Sequence, residues 1–126
     1  MLTSTTHELV QAYYDSWTDG IDSFDEARLR TVLAPDLHFE GPIAGKRDRV
    51  EPFLFGLADF VKRMTSYRRI QHVHSGSEAS ALYECTLTGS EDTIRFAEFF
   101  RVKDDKIQEL TLLYDAAEFR RLAGLA

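Results

Sequence analysis

The chain has 126 residues, a net charge of −6 and 44% apolar residues, nine Phe and five Tyr among them. That length suits one domain, 1–126, burying roughly two-thirds of its unfolded surface without disulfides or a structural metal. The acidic balance repels phosphate backbones and anionic lipid, so no nucleic acid and no membrane is expected as partner.

Thr5-Thr6-His7-Glu8 has the spacing of a capping box, and Leu9, Val10, Tyr13, Tyr14 and Trp17 follow on one face of a first helix that Asp19-Gly20 ends. Ser23 with Glu26 repeats the box. Ala27, Leu29, Val32 and Leu33 then carry a second helix as far as Pro35, whose ring clashes with a continuing turn. Leu37 to Gly45 reads LHFEGPIAG, a short extended run stopped by Gly41, Pro42 and Gly45. The third helix is expected from Arg47 to Met64, since Val50, Phe53, Leu54, Leu57, Phe60, Val61 and Met64 keep helical spacing. Pro52 is tolerated in its first turn.

From Tyr67 the period drops to two. Tyr67–His74, Glu78–Thr88, Thr93–Val102 and Lys106–Tyr114 read as strands joined by hairpin-length turns. Asp115 with Glu118 caps a short last helix bearing Phe119, Leu122 and Ala123. On the third of these strands Ile94, Phe96, Glu98, Phe100 and Val102 share a face that should look into a core or cavity. The reverse face sets Phe99 between Arg95 and Arg101, with Thr111 and Leu113 on the next strand. A sheet exterior that apolar points to a homodimer packed sheet to sheet.

Glu98 is the leading chemical candidate, because a carboxylate among Phe and Val has its charged form disfavoured and its pKa raised towards acid/base values. The alternative is a structural Glu paired with an Arg or hydrogen-bonded at a pocket edge. Tyr14, on a buried helical face, must find a hydrogen-bond partner or donate to a ligand, although it, Tyr13 and Trp17 also suit a core. His72 and His74 share a strand face with Ile70; a third metal ligand is not evident, which leaves His72 as a proton shuttle or a rim histidine. His38 and Glu40 lie opposite Phe39 and Gly41 and point away if Phe39 is core. Cys85, the single cysteine, excludes an intramolecular disulfide, fits a reducing compartment and reads as a small buried hydrophobe. No metal or nucleotide-cofactor motif is visible. No apolar run approaches the ~18 residues of a membrane span. MLTSTTHELV also lacks the features of a signal peptide, so a cytoplasmic location is expected.

ELVQAYYDSW, LAPDLHFEGPIAG and FAEFFRVKDDKIQELTLLYD, in this order of elements, resemble the nuclear transport factor 2-like superfamily, in particular its SnoaL-like and ketosteroid-isomerase-like branch. The resemblance implies an α+β, cystatin-like cone: a bent antiparallel sheet wrapped around N-terminal helices, enclosing one pocket, usually in a dimer. Ketosteroid isomerase pairs an Asp base with a Tyr and a protonated Asp that hold an oxyanion. Carried over by position, its Tyr matches Tyr14 and its protonated acid Glu98, while its base falls on Gly41, beside Glu40. IQHVHSG is similar to the scytalone dehydratase segment that carries a catalytic histidine, here His72. That enzyme's second histidine and the Asp-Arg-Asp set of limonene epoxide hydrolase have no visible counterparts.

These readings lead to an isomerase, cyclase or dehydratase acting on a hydrophobic carbonyl or polyketide-like molecule, without cofactor. Glu98 would be its acid/base, with Tyr14 and His72 assisting. Trp17, Phe39, Gly41, Phe53, Leu54, Leu57, Tyr83, Phe96, Phe100, Leu112 and Tyr114 would line the pocket. A non-catalytic binding module for a small hydrophobic metabolite and a self-filled dimerisation domain are the alternatives.

Overall fold

A computed structural model describes residues 5–125; residues 1–4, part of the stretch read for a signal peptide, and residue 126 lie outside the described residues. Helix α1, Thr6–Asp15, starts as its sequence predicts, with Thr5 Oγ1 accepting from the Glu8 N–H and Glu8 reaching back to Thr5. Helix α2, Glu26–Val32, is capped differently from the expectation. Ser23 lies in a 3-10 turn, Ile21–Ser23, and the N-cap is Asp25, whose carboxylate accepts from the Arg28 N–H at 2.9 Å. Asp25→Ala should therefore lower stability by about 1 kcal/mol, whereas Ser23→Ala should change it little. Equal losses in urea titrations of the two variants would contradict this capping.

Strand β1, Leu33–Gly41, begins two residues before Pro35, earlier than its extended run suggests. Proline disfavours a helical residue before it, so the chain is already extended at Leu33. Pro35 falls in the register shift between Leu33 and His38, where a missing N–H breaks no rung with the neighbouring strand. A second strand was not foreseen: β2, Gly45–Asp48, turns back on β1, with Phe39 opposite Arg47 and Gly41 opposite Gly45. Helix α3 accordingly runs Val50–Arg63, starting three residues later than expected. Arg49, at a left-handed φ of 84°, turns the chain into it and donates its N–H to the Leu37 carbonyl at 2.8 Å.

The meander β3 (Met64–Ser75), β4 (Glu78–Leu87), β5 (Thr93–Lys103) and β6 (Lys106–Leu113) follows, and α4, Ala116–Leu122, ends the described fold under its Asp115 cap. The six strands form one sheet in the order β2-β1-β6-β5-β4-β3, antiparallel except where β1 runs parallel to β6. Irregular register at Met64/Ser66, Arg69/Gln71 and Arg101/Val102 bends it, as extra residues in a ladder do. The bent sheet and helices make the expected α+β cone. No helix among the described residues is long and apolar enough to cross a membrane.

Inside the bend, α1 buries Tyr13 and Tyr14. The helix ends at Asp15, before the expected Asp19-Gly20, and the turn that follows it buries Trp17. Strand β5 turns Ile94, Phe96, Glu98 and Phe100 towards these three rings. Its other face leaves Phe99 at 46% exposure, beside Leu113 on β6 at 53% and Val73 on β3 at 50%. Ion pairs from Arg95 to Glu84 and from Arg101 to Glu109 flank that apolar strip.

Candidate functional site

The alternation along β5 delivers one carboxylate to the interior, and α1 meets it with two phenols. Tyr14 Oη donates to Glu98 Oε1 at 2.7 Å and Tyr13 Oη to Oε2 at 2.9 Å. Successive helical residues point about 100° apart, yet both rings reach the same acid because it lies under the helix, near the seam between them. Glu98 is 1% exposed. Burial pushes its carboxyl up to about 7, against the lowering pull of the phenols of Tyr14, Tyr13 and Tyr83 and of Arg69. Both phenols are held well above their usual range by burial and by the acid itself, so they remain neutral donors.

A cavity of about 300 Å³ opens beside this cluster. Tyr13, Tyr83 and Glu98 form its inner end. Phe39, Phe53 and Leu57 line one wall, and Phe96, Leu112 and Tyr114 the other, with Phe60 and Phe119 between them. The exposed residues Ile43, Arg47, Pro52, Asp59 and Leu125, with half-buried Arg63, mark its mouth.

Seven of the expected lining residues are thus brought together with Glu98. Trp17, Leu54 and Phe100 pack in the core outside the cavity wall, and Gly41 is buried where a Cβ would come within 3.1 Å of the Phe39 ring. Tyr14 stands behind the acid; the phenol that shares the cavity with Glu98 is Tyr13, on the helical face that the sequence left divided between core and site. His72 is not in the cavity either. A bulge at Ile70 resets the strand's alternation, so that Arg69 and His72, rather than Ile70 and His72, face inward. His72 stacks on His7 with ring centres 5.1 Å apart, its Nε2 is buried without a partner, and its pKa is lowered chiefly by burial.

Arg69, which the sequence did not single out, holds its guanidinium 4.3 Å from the Tyr14 ring centre and donates to Tyr67 Oη and Gln11 Oε1. His38 and Glu40 point away from the cavity as expected, His38 bonding to Asp48 at 2.6 Å. Cys85 is buried and its thiol pushed up to about 12 by burial, leaving an unreactive thiol. Among the described residues no group of three or more His, Cys, Asp or Glu side chains could hold a metal ion.

The SnoaL-like domain family matches residues 10–110, from the buried face of α1 to β6. The chain belongs to that family. Among solved structures, this SnoaL-like domain is similar to a protein from Kribbella flavida, at 22% identity and a TM-score of 0.78, covering 92% of this chain and 91% of that one. A second Kribbella flavida protein, provisionally named a ketosteroid isomerase, is 18% identical with a TM-score of 0.70 over 91% of this chain and 82% of its own. A Xanthomonas campestris protein of unknown function with a cystatin-like fold is 20% identical, with a TM-score of 0.73 over 95% and 97%. At these identities the likeness establishes the fold of the SnoaL-like domain. No curated protein matches it.

Proposed function

We propose that the chain is a small-molecule enzyme of the isomerase, cyclase or dehydratase kind, acting on a hydrophobic carbonyl compound by acid/base catalysis at Glu98. The observation that carries this reading is a fully buried carboxylate, titrating near neutrality, at the inner end of an aromatic cavity that reaches the surface. With a pKa of about 7, Glu98 is present both as base and as acid at physiological pH. As carboxylate it takes a proton from the carbon next to a carbonyl. Once protonated it needs fewer donors, which frees the Tyr13 hydroxyl to turn towards the enolate oxygen. The proton then returns to another atom of the substrate, giving an isomer, or to a departing hydroxyl, giving an alkene and water. The position matching the ketosteroid isomerase base carries no side chain, and Glu40 beside it faces solvent, so one carboxylate performs both transfers.

The test is exchange of the α-protons of 2-tetralone, a hydrophobic ketone, in D2O near neutral pD, followed by proton NMR. Exchange faster than in buffer alone supports the enzyme. Binding of the ketone without accelerated exchange would favour the second reading, a binding module, which the absence of a separate base makes reasonable.

The apolar strip around Phe99 supports a homodimer through the outer sheet face. Sedimentation velocity should find a dimer for the wild type and a monomer for Phe99→Lys; a wild-type monomer would remove the assembly. The buried lone thiol and the acidic net charge support a cytoplasmic protein that binds neither nucleic acid nor membrane.

A further inference from the structure

We infer that the cavity selects a hydrophobic molecule bearing a carboxylate, which Arg47 binds at the mouth while the apolar body reaches Glu98. This rests on the small-molecule reading above and adds the charge of the substrate to it. Strand register places Arg47 at this cavity. Arg47 on β2 is directly opposite Phe39 on β1, and opposed residues project from the same face of a sheet. Phe39 lines the cavity wall, and Arg47 lines the mouth in front of it. The adjacent pair, Lys46 opposite Glu40, projects to the other side.

The nearby cations are otherwise engaged. Arg49 reaches Glu51 at 3.2 Å, and Arg63 is held by Asp59 at 3.4 Å and by the Ala123 carbonyl. Arg47 has only the carbonyl of Lys46, at 3.4 Å, and among the described residues it pairs with no carboxylate. Asp59, the one acid at the mouth among the described residues, is taken by Arg63. Among the described residues the mouth therefore carries two cations and one anion, with the unmatched positive charge on a planar fork suited to a carboxylate.

The inner end settles the orientation. A ligand carboxylate placed there would be repelled by Glu98 whenever the acid is ionised, and Arg69, the cation that acts on the acid, stands over the Tyr14 ring outside the cavity lining. The anion belongs at the Arg47 end, and the neutral carbonyl at the acid.

The test is calorimetric titration at low salt with 2-naphthoate and its uncharged isostere 2-naphthamide. The wild type should bind the acid about tenfold more tightly than the amide, the order expected of a partly solvated charge-assisted hydrogen bond. Arg47→Met should abolish the preference while binding the amide as well as the wild type does, and Arg47→Lys should retain part of it. Equal binding of both ligands by the wild type, or a preference that survives Arg47→Met, overturns the inference and leaves the small-molecule reading standing. Loss of amide binding in Arg47→Met would make the residue part of the pocket's framework and also overturn it. Binding of neither ligand to the wild type removes the inference together with the reading beneath it.

Discussion

Glu98→Gln is expected to lower the exchange of 2-tetralone α-protons by about 10²–10⁴-fold, the range associated with losing a positioned general base. The substitution keeps the side chain's volume. It also keeps one oxygen to accept from a phenol, and the amide nitrogen can donate to the other once that hydroxyl rotates. Packing around Tyr13, Tyr14 and Phe100 should survive, and the loss can be assigned to the missing ionisable oxygen. The control is affinity for 2-naphthamide, which does not need a base and should stay within a few-fold of wild type. Exchange that continues undiminished in Glu98→Gln would take the acid out of the mechanism and assign the proton transfer to another group.

The second large effect is on stability and its dependence on pH. The Glu98 pKa is raised to about 7 in the folded chain from an ordinary value of 4.5, mainly by burial. Between these values the folded state holds a proton that the unfolded state has released. Stability therefore falls as pH rises through this window, and the loss is complete only above the folded pKa. The full shift corresponds to roughly 3 kcal/mol. Glu98→Gln cannot ionise and escapes this penalty. Denaturant unfolding of both proteins from pH 4 to 8.5 should show the wild type losing ground to the variant by roughly 3 kcal/mol, most of it between pH 5 and 7. Parallel curves would mean that Glu98 keeps an ordinary pKa, and the acid/base argument would lose its footing.

The parts of the fold that were legible in the sequence are those where one periodicity runs unbroken. The β5 stripe placed Glu98 inside, the spacing from Val50 to Val61 marked α3, and the caps at Thr5 and Asp115 were found directly. Legibility failed where local chemistry interrupts the pattern. Gly45–Asp48 reads GKRD, a charged strand at the sheet edge with no apolar alternation, and so β2 and the placement of Arg47 stayed hidden. The bulge at Ile70 exchanged the faces of β3, and nothing in the residues themselves announces a bulge. Tyr13 was in view but undecided, because choosing between neighbouring residues on one helical face needs the position of the acid beneath them.

The parallel pairing of β1 with β6 makes the pocket a non-local object. Gln108 on β6 bonds to Asp36 on β1 across 72 residues of sequence. Phe39 and Phe53 come from one side of this closure, and Glu98, Leu112 and Tyr114 from the other. No contiguous fragment ending before β5 contains both the acid and a wall for it. Chain entropy charges for such a closure only logarithmically in loop length, so the cost of joining distant segments is modest. What the topology imposes is all-or-none assembly. A molecule held between the two walls bridges the beginning and the end of the chain, and its affinity adds directly to the free energy that keeps them together.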